Sequence, residues 1–355
     1  METESVESGF LSIFALLTFF IFLIISKYIN KFQNGILLDN DFSKPQAFHH
    51  DAISRGGGIA IFLSFICFLP INFLLFENIL FSYLALGISL FFIGYLDDIK
   101  ISLNPKKRLI LMSILLIIFI KLLDIEIKNI DFVFLNQLIQ NNFFSILFIL
   151  LCFLFVINGA NLVDGFNGLL TLNLIIINSF LLFINLTNNH LEFSFFLTAQ
   201  LIILITFLLF NFPKAKIFLG DSGSYFLGTF VALNVITTNN LNPNVSSFFF
   251  CILLFYLFFE VFFSFVRKVY QKKSPVFPDD QHLHMLSFKI ITKKTDQVKG
   301  NYLNSLIINL FFLIMVFPSI YFADNSLICK YWFISLVLIY LLVYKQLYQL
   351  TKNQN

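Results

Sequence analysis

Apolar residues run through this chain in stretches too long for a water-soluble core. A helix that crosses the hydrocarbon layer of a bilayer needs about 20 predominantly apolar residues. The runs predict eleven such helices, at 9–29, 57–76, 79–96, 109–123, 143–159, 169–186, 194–210, 225–238, 245–266, 302–322 and 328–348. The second and third are separated only by Glu77 and Asn78 and read as a helical hairpin. Segment 124–142 is long enough for a small interfacial hairpin or helix. With no internal repeat or linker, the expectation is an all-α, polytopic membrane protein in which 1–355 form one domain.

Composition agrees. The chain is 58% apolar and 12% charged, with 52 Phe among 355 residues, against about 25% charged residues in soluble domains. The net charge of +3 says less than its placement. Of the 23 Lys and Arg residues, all but Lys121, Lys128 and Lys330 fall in the loops after odd-numbered spans or in the C-terminal tail. The positive-inside rule makes those loops cytoplasmic, so the N-terminus is expected outside and the C-terminus in the cytoplasm. "METESVES" is acidic where a cleavable signal peptide opens basic. Cys67, Cys152, Cys251 and Cys329 form no C-x-x-C pair and read as buried small apolar residues.

The polar, chemically capable residues gather in five loops on that cytoplasmic side. Ionisable groups at membrane depth are functional candidates by default, and confinement to one face points to one shared site. Arg55 precedes Gly56, Gly57 and Gly58; such glycines serve either an anion approaching the backbone or close helix packing. Asp97 and Asp98 stand together at a helix C-terminus, where the dipole disfavours them, with Lys106, Lys107 and Arg108 close behind. Asn158, Asn161, Asp164 and Asn167 crowd "VINGANLVDGFNGLL", and amides that both donate and accept suit a sugar or nucleobase. "GDSGS" sets Asp221 among small residues, able to hold Mg²⁺ while its amides face phosphate, or to form a plain turn and helix cap. The fifth loop carries His282 and His284 among basic residues. Glu260 stands apart, about 9 Å inside the ninth span, where it must face protein or a wet cavity. Four carboxylates around Mg²⁺, with Arg55, Lys107 and Arg108 nearby, suit phosphoryl chemistry at the inner membrane surface, with one lipid substrate arriving between spans.

"GYLDDIK", "NGANLVDGFNGLL", "FLGDSGS" and "PDDQHLHML" resemble, in order and spacing, the motifs of the polyprenyl-phosphate N-acetylhexosamine-1-phosphate transferases. These start lipid-linked envelope glycans such as O-antigen and teichoic acid and are related to the peptidoglycan lipid-carrier transferases. The resemblance spans about residues 9–348. It implies that undecaprenyl phosphate attacks the β-phosphate of a UDP-N-acetylhexosamine and releases UMP at the bacterial inner membrane. It further implies Asp221 as ligand of Mg²⁺, or of Mn²⁺ in its place. Asp97 and Asp98 match the pair that activates or positions the lipid phosphate, and His282 joins them as a catalytic residue. Arg55, Lys107, Arg108, Asn161, Asp164, Asn167, Asn211, Phe218 and His284 are expected on the substrates, Phe218 stacking on uracil. Partners are the two substrates and membrane lipid, with no nucleic acid; a homodimer is left open. The chain departs from the family pattern at Asn167, often Asp, at Met285, often His, at Asp280, commonly Arg, and at Ser54, often Pro. The alternatives are an Mg²⁺-dependent phosphotransferase acting on another lipid, and a polytopic transporter.

Overall fold

Each of the eleven apolar runs is helical in the computed structural model, which describes residues 2–32, 35–39, 52–101, 104–274 and 279–352. Lys44 of the first loop and Pro278 of the histidine motif lie outside the described residues. The helices are α1 (Glu2–Phe32), α2 (Gly57–Phe76), α3 (Phe81–Asp98), α4 (Pro105–Leu122), α5 (Val133–Leu138), α6 (Asn142–Val163), α7 (Leu169–Thr187), α8 (Leu191–Asn211), α9 (Gly220–Leu241), α10 (Ser247–Leu253), α11 (Phe255–Tyr270), α12 (Leu283–Ile291), α13 (Gln297–Val316) and α14 (Ser326–Lys352). Two-residue strands β1 (Leu38–Asp39) and β2 (Ile53–Ser54) pair antiparallel ahead of α2.

Local chemistry sets the ends. Asn104 accepts from the Lys106 amide with Pro105 in the first turn of α4, Asn141 caps α6, and Asp296 accepts from the Lys299 amide to cap α13, each meeting an otherwise orphaned donor. The turn between α2 and α3 is short, as predicted: Glu77 ends α2 in the left-handed conformation, and Asn72 Nδ2 donates to the Asn78 carbonyl at 2.9 Å, while both helices pack chiefly on other elements rather than on each other.

The chain is a multi-pass membrane protein, but the expected eleven crossings are not all equal. Among the described residues, eight helices are long and apolar enough to span a bilayer, or nine if α10 and α11, bent by 76° at Leu254, count as one. The fourth and eighth runs fall short for visible reasons: α4 carries Lys106, Lys107, Arg108 and Lys121, and α9 carries Thr229, Asn234, Thr238 and Asn239 along its length. Segment 124–142 holds the short α5 and is tied down by polar contacts. Asn240 donates to the Glu126 carbonyl at 2.7 Å, and Asp131 accepts from the Ser247 amide at 2.9 Å.

The polar α9 belongs in the protein rather than in lipid. It is buried over almost its whole length and packs chiefly against α3 and α6, with α2 and α7 also touching it. Asn234 holds Tyr83, Asn178 and Gln200 through bonds of 2.8 to 3.1 Å, so its amide is fully engaged at a depth without water. Phe226 and Phe230, centroids 4.2 Å apart, fill the space between α3 and α2.

Glycine lets α3 approach the start of α9. A Cβ on Gly94 would sit 2.3 Å from the Asp221 carbonyl oxygen and 2.5 Å from the Ser222 nitrogen, both backbone atoms that cannot swing aside. Gly94→Ala is therefore expected to destabilise the protein by about 1–3 kcal/mol, the usual cost of overpacking. Thermal melting in detergent checks this, with Gly9→Ala as control because nothing lies within 4 Å of a Cβ there.

Candidate active site

Gly220 turns the chain into α9 with φ +77°. The first amides of any helix have no partner within it and attract an acceptor. Here the acceptor is Asp98, from the end of α3. Its Oδ1 accepts from the Asp221 amide at 2.9 Å, and its Oδ2 accepts from the Ser222 amide at 2.9 Å and the Ser222 hydroxyl at 2.6 Å. Arg55 Nη1 lies 3.7 Å from Asp98 Oδ1, while Arg55 Nε and Nη2 donate to Asp39 Oδ2 at 3.2 and 2.8 Å. Two of the amides of "GDSGS", those of Asp221 and Ser222, are thus occupied by a side chain. The glycines after Arg55 serve packing: the Gly57 and Gly58 amides donate to the carbonyls of Phe218 and Leu219, each at 2.8 Å.

The neighbouring carboxylate has other surroundings. Asp97 pairs with Arg108 Nη1, and the same nitrogen lies 3.2 Å from Asp221 Oδ2. Asn161, from the end of α6, donates through Nδ2 to Asp221 Oδ1 at 2.9 Å and to Ser224 Oγ at 3.0 Å. Asp97, Arg108, Asn161 and Asp221, from three separate loops, therefore meet. Tyr225 lies beneath, its ring centroid 5.5 Å from the Arg108 guanidinium carbon and its hydroxyl buried without a partner. Lys107 is exposed, and no hydrogen bond or ion pair joins it to this group.

Asp164 faces the same cluster from the loop after α6. Burial raises its pKa well above the ordinary carboxylate range, the charges of Asp221 and Asp98 add to the shift, and Arg55 offsets part of it. That crowding of negative charge is what a bound cation would relieve.

The same loop also reaches the histidines. Phe166 meets His284 edge to face at 5.9 Å and Phe288 at 5.0 Å. Asn167 donates its backbone amide to Asn301 at 2.9 Å and its Nδ2 to the Pro213 carbonyl at 3.0 Å. The Asp common in the family has no N–H for that second bond, so the departure at Asn167 suits a structural contact. Asn211 is buried, accepting from the Gly168 amide at 2.7 Å and donating to the Ile217 carbonyl at 3.0 Å. Phe218 is partly exposed beside it, its amide donating to the Ser54 carbonyl at 2.8 Å.

His282 and His284 are buried, their rings stacked 5.4 Å apart and 5° from parallel. His284 Nδ1 lies 3.2 Å from the Tyr256 hydroxyl, and burial, countered partly by Glu260, takes its pKa down to about 3. Among the described residues its Nε2, also buried, meets no hydrogen-bond partner. Met285 is also buried and faces Gly165, and Asp280 pairs with Lys289 at 2.5 Å.

Three buried asparagines on α13 escape sequence reasoning. Asn301 holds Asn167, Asn304 donates to the His284 carbonyl at 3.0 Å, and Asn309 donates to the Leu169 carbonyl at 3.0 Å. Their spacing, recurring along one face of an apolar helix, is a signal that could have found them.

Residues 80–239, which hold the whole Asp97–Arg108–Asn161–Asp221 group, match the sequence pattern of glycosyl transferase family 4. The chain resembles that family over this central part. It is 28% identical over 279 residues to the undecaprenyl-phosphate alpha-N-acetylglucosaminyl 1-phosphate transferase of Thermotoga maritima, covering 79% of this chain and 81% of that one. It is 24% identical over 240 residues to a probable undecaprenyl-phosphate N-acetylglucosaminyl 1-phosphate transferase of Bacillus subtilis, 66% of each chain. Arg55, His282 and His284 lie outside the part that matches the glycosyl transferase family 4 pattern.

Proposed function

We propose that this protein transfers N-acetylglucosamine 1-phosphate from its UDP derivative to undecaprenyl phosphate, releasing UMP, at the cytoplasmic face of a bacterial inner membrane. In this reading the chain crosses the bilayer eleven times with its N-terminus outside, α9 completing the count inside the helix bundle and α4 at its edge. The observation that carries it is the meeting of Asp97, Arg108, Asn161 and Asp221, in a chain similar to proteins named undecaprenyl-phosphate N-acetylglucosaminyl 1-phosphate transferases.

A metal fits on the chemistry of the donors. One guanidinium nitrogen contacts both Asp97 and Asp221, so a single cation reaches both carboxylates. Among the described residues no group of three or more His, Cys, Asp or Glu side chains forms a protein cage. Mg²⁺ is commonly held by one or two carboxylates, water and substrate phosphate instead. Asp221, with Asp97 beside it, would hold the ion, which when bound neutralises phosphate charge.

The chain's own residues do the rest. A lipid phosphate, with its second pKa near about 6, is already largely dianionic at neutral pH. Asp97 therefore positions rather than deprotonates. An oxygen of the lipid phosphate bonds to the β-phosphorus, and the bond from that phosphorus to the bridging oxygen breaks, leaving the electron pair on UMP. Arg108 and Arg55 stand where they balance the phosphate charges, and Asn161 keeps Asp221 oriented. Placement and electrostatics then supply the acceleration, as in other phosphoryl transfers.

Incubating membranes with undecaprenyl phosphate, Mg²⁺ and a panel of UDP-N-acetylhexosamines tests the reading. Equal amounts of UMP and lipid-linked sugar with UDP-N-acetylglucosamine are expected. Absence of UMP with every donor refutes it, and a different preferred donor corrects the sugar.

A further inference from the structure

Glu260 is 1% exposed, in α11 of the bent α10–α11 pair that together is long and apolar enough to span a bilayer. A carboxylate there is costly unless several donors face it. Its Oε1 accepts from the Leu283 amide and lies against His282 Nδ1, both at 3.1 Å, and its Oε2 accepts from the Tyr340 hydroxyl at 2.6 Å. Two of the three partners open α12, where amides are free and the helix dipole favours an anion. The third comes from α14. The far edge of the imidazole is held too. His282 Nε2 lies 3.3 Å from Asp279 Oδ1, and Arg267 grips Asp279 at 3.0 Å. Burial opposes the charge on Asp279, but the Arg267 hydrogen bond and the nearby positive charges outweigh it and hold its pKa below the ordinary range. The ring is thus fixed between two carboxylates, hydrogen-bonded to Glu260 through Nδ1 and with Nε2 beside Asp279.

We infer that Glu260 is a positioning residue for His282. Its carboxylate fixes the ring and the start of α12 from below, so that the outer nitrogen of His282 is held in one place beside Asp279. This rests on the transferase reading, in which His282 acts on the diphosphate. Packing alone does not need Glu260, because an apolar side chain would fill the same space without the cost of burying a charge.

Glu260→Gln keeps the shape and removes the charge, leaving one acceptor oxygen for three donors. Three measurements test the inference. Transferase kcat is expected to fall about 10- to 100-fold, the scale on which loss of an orienting partner acts, with KM for the UDP-sugar within about twofold. Hydrogen exchange at the Leu283 amide is expected to run roughly tenfold faster, as a charge-assisted bond becomes neutral. In combination with His282→Asn, Glu260→Gln is expected to add nothing to the loss from His282→Asn alone, because the two act as one unit. Fold-changes that multiply, or kcat and Leu283 exchange both equal to wild type, overturn the inference. If Glu260→Gln does not accumulate, Tyr340→Phe, which frees Oε2 and leaves the carboxylate, takes the same readouts with a smaller kcat loss. If wild type releases no UMP from any donor, the transferase reading has failed. Leu283 exchange then decides the positioning alone, unchanged exchange overturning it.

Discussion

Asp98→Ala is expected to lose stability and activity together, whereas Asp97→Ala is expected to lose activity and keep its melting temperature. Asp98 accepts two amides and a hydroxyl at the start of α9, and its side chain is fully buried. Hydrogen bonds to a charged group contribute about 1.5–3 kcal/mol each, and buried donors left without a partner add to the loss. Removing Asp98 should therefore cost about 3 kcal/mol or more and loosen the turn that carries Asp221. Asp97 meets Arg108 near the surface, with its side chain 12% exposed. Arg108 keeps Asp221 as a partner when Asp97 is removed, so no charge is left unpaired and melting should stay close to wild type. Its activity should fall about 10²- to 10³-fold, as when a group stabilising transition-state charge is removed. Thermal melting of both variants in detergent, alongside UMP release, checks this. Equal melting temperatures for the two variants would show that Asp98 is no cap, and wild-type turnover in Asp97→Ala would remove it from the site.

Asp221→Asn is expected to lower turnover about 10²- to 10³-fold and to weaken the response to Mg²⁺ or Mn²⁺. Asn keeps one acceptor for Asn161 or Arg108, so α9 should stay in place and melting without metal should match wild type. A ligand that binds the folded state raises its stability in proportion to occupancy. Wild type should gain thermal stability as Mn²⁺ is titrated in the presence of UDP-N-acetylglucosamine, and Asp221→Asn should gain much less. A variant with the wild-type metal response would move the metal away from Asp221.

The sequence already carries most of the architecture. Every apolar run from 9–29 to 328–348 became helical, 245–266 as two helices bent at Leu254, because backbone groups in a bilayer must be satisfied within the segment. What it could not separate is whether α4 and α9 face lipid, since a polar helix surrounded by others and a short span look alike in one dimension. The site was legible as a set of loops. Asp97, Arg108, Asn161 and Asp221 do meet, while Lys107 stands apart. The division of labour between Asp97 and Asp98 was hidden, because adjacent residues on a helix point about 100° apart and only the position of α9 decides which one it takes. Glu260 stood out as a charge in an apolar run, but its partners Leu283, His282 and Tyr340 are distant in sequence and follow from folding alone.

The bond from Asp98 to the start of α9 joins residues 123 positions apart. During synthesis, α3 reaches the membrane long before Gly220 leaves the ribosome. At about 5–20 residues per second, that interval lasts roughly 6 to 25 s. Throughout it, a carboxylate destined for a dry interior waits at the water boundary, and α3 has no reason to settle against its final neighbours. Assembly of the acidic group is thus a late event in the biogenesis of the chain. A ribosome stalled anywhere before residue 221 leaves behind a set of inserted helices without a reaction centre.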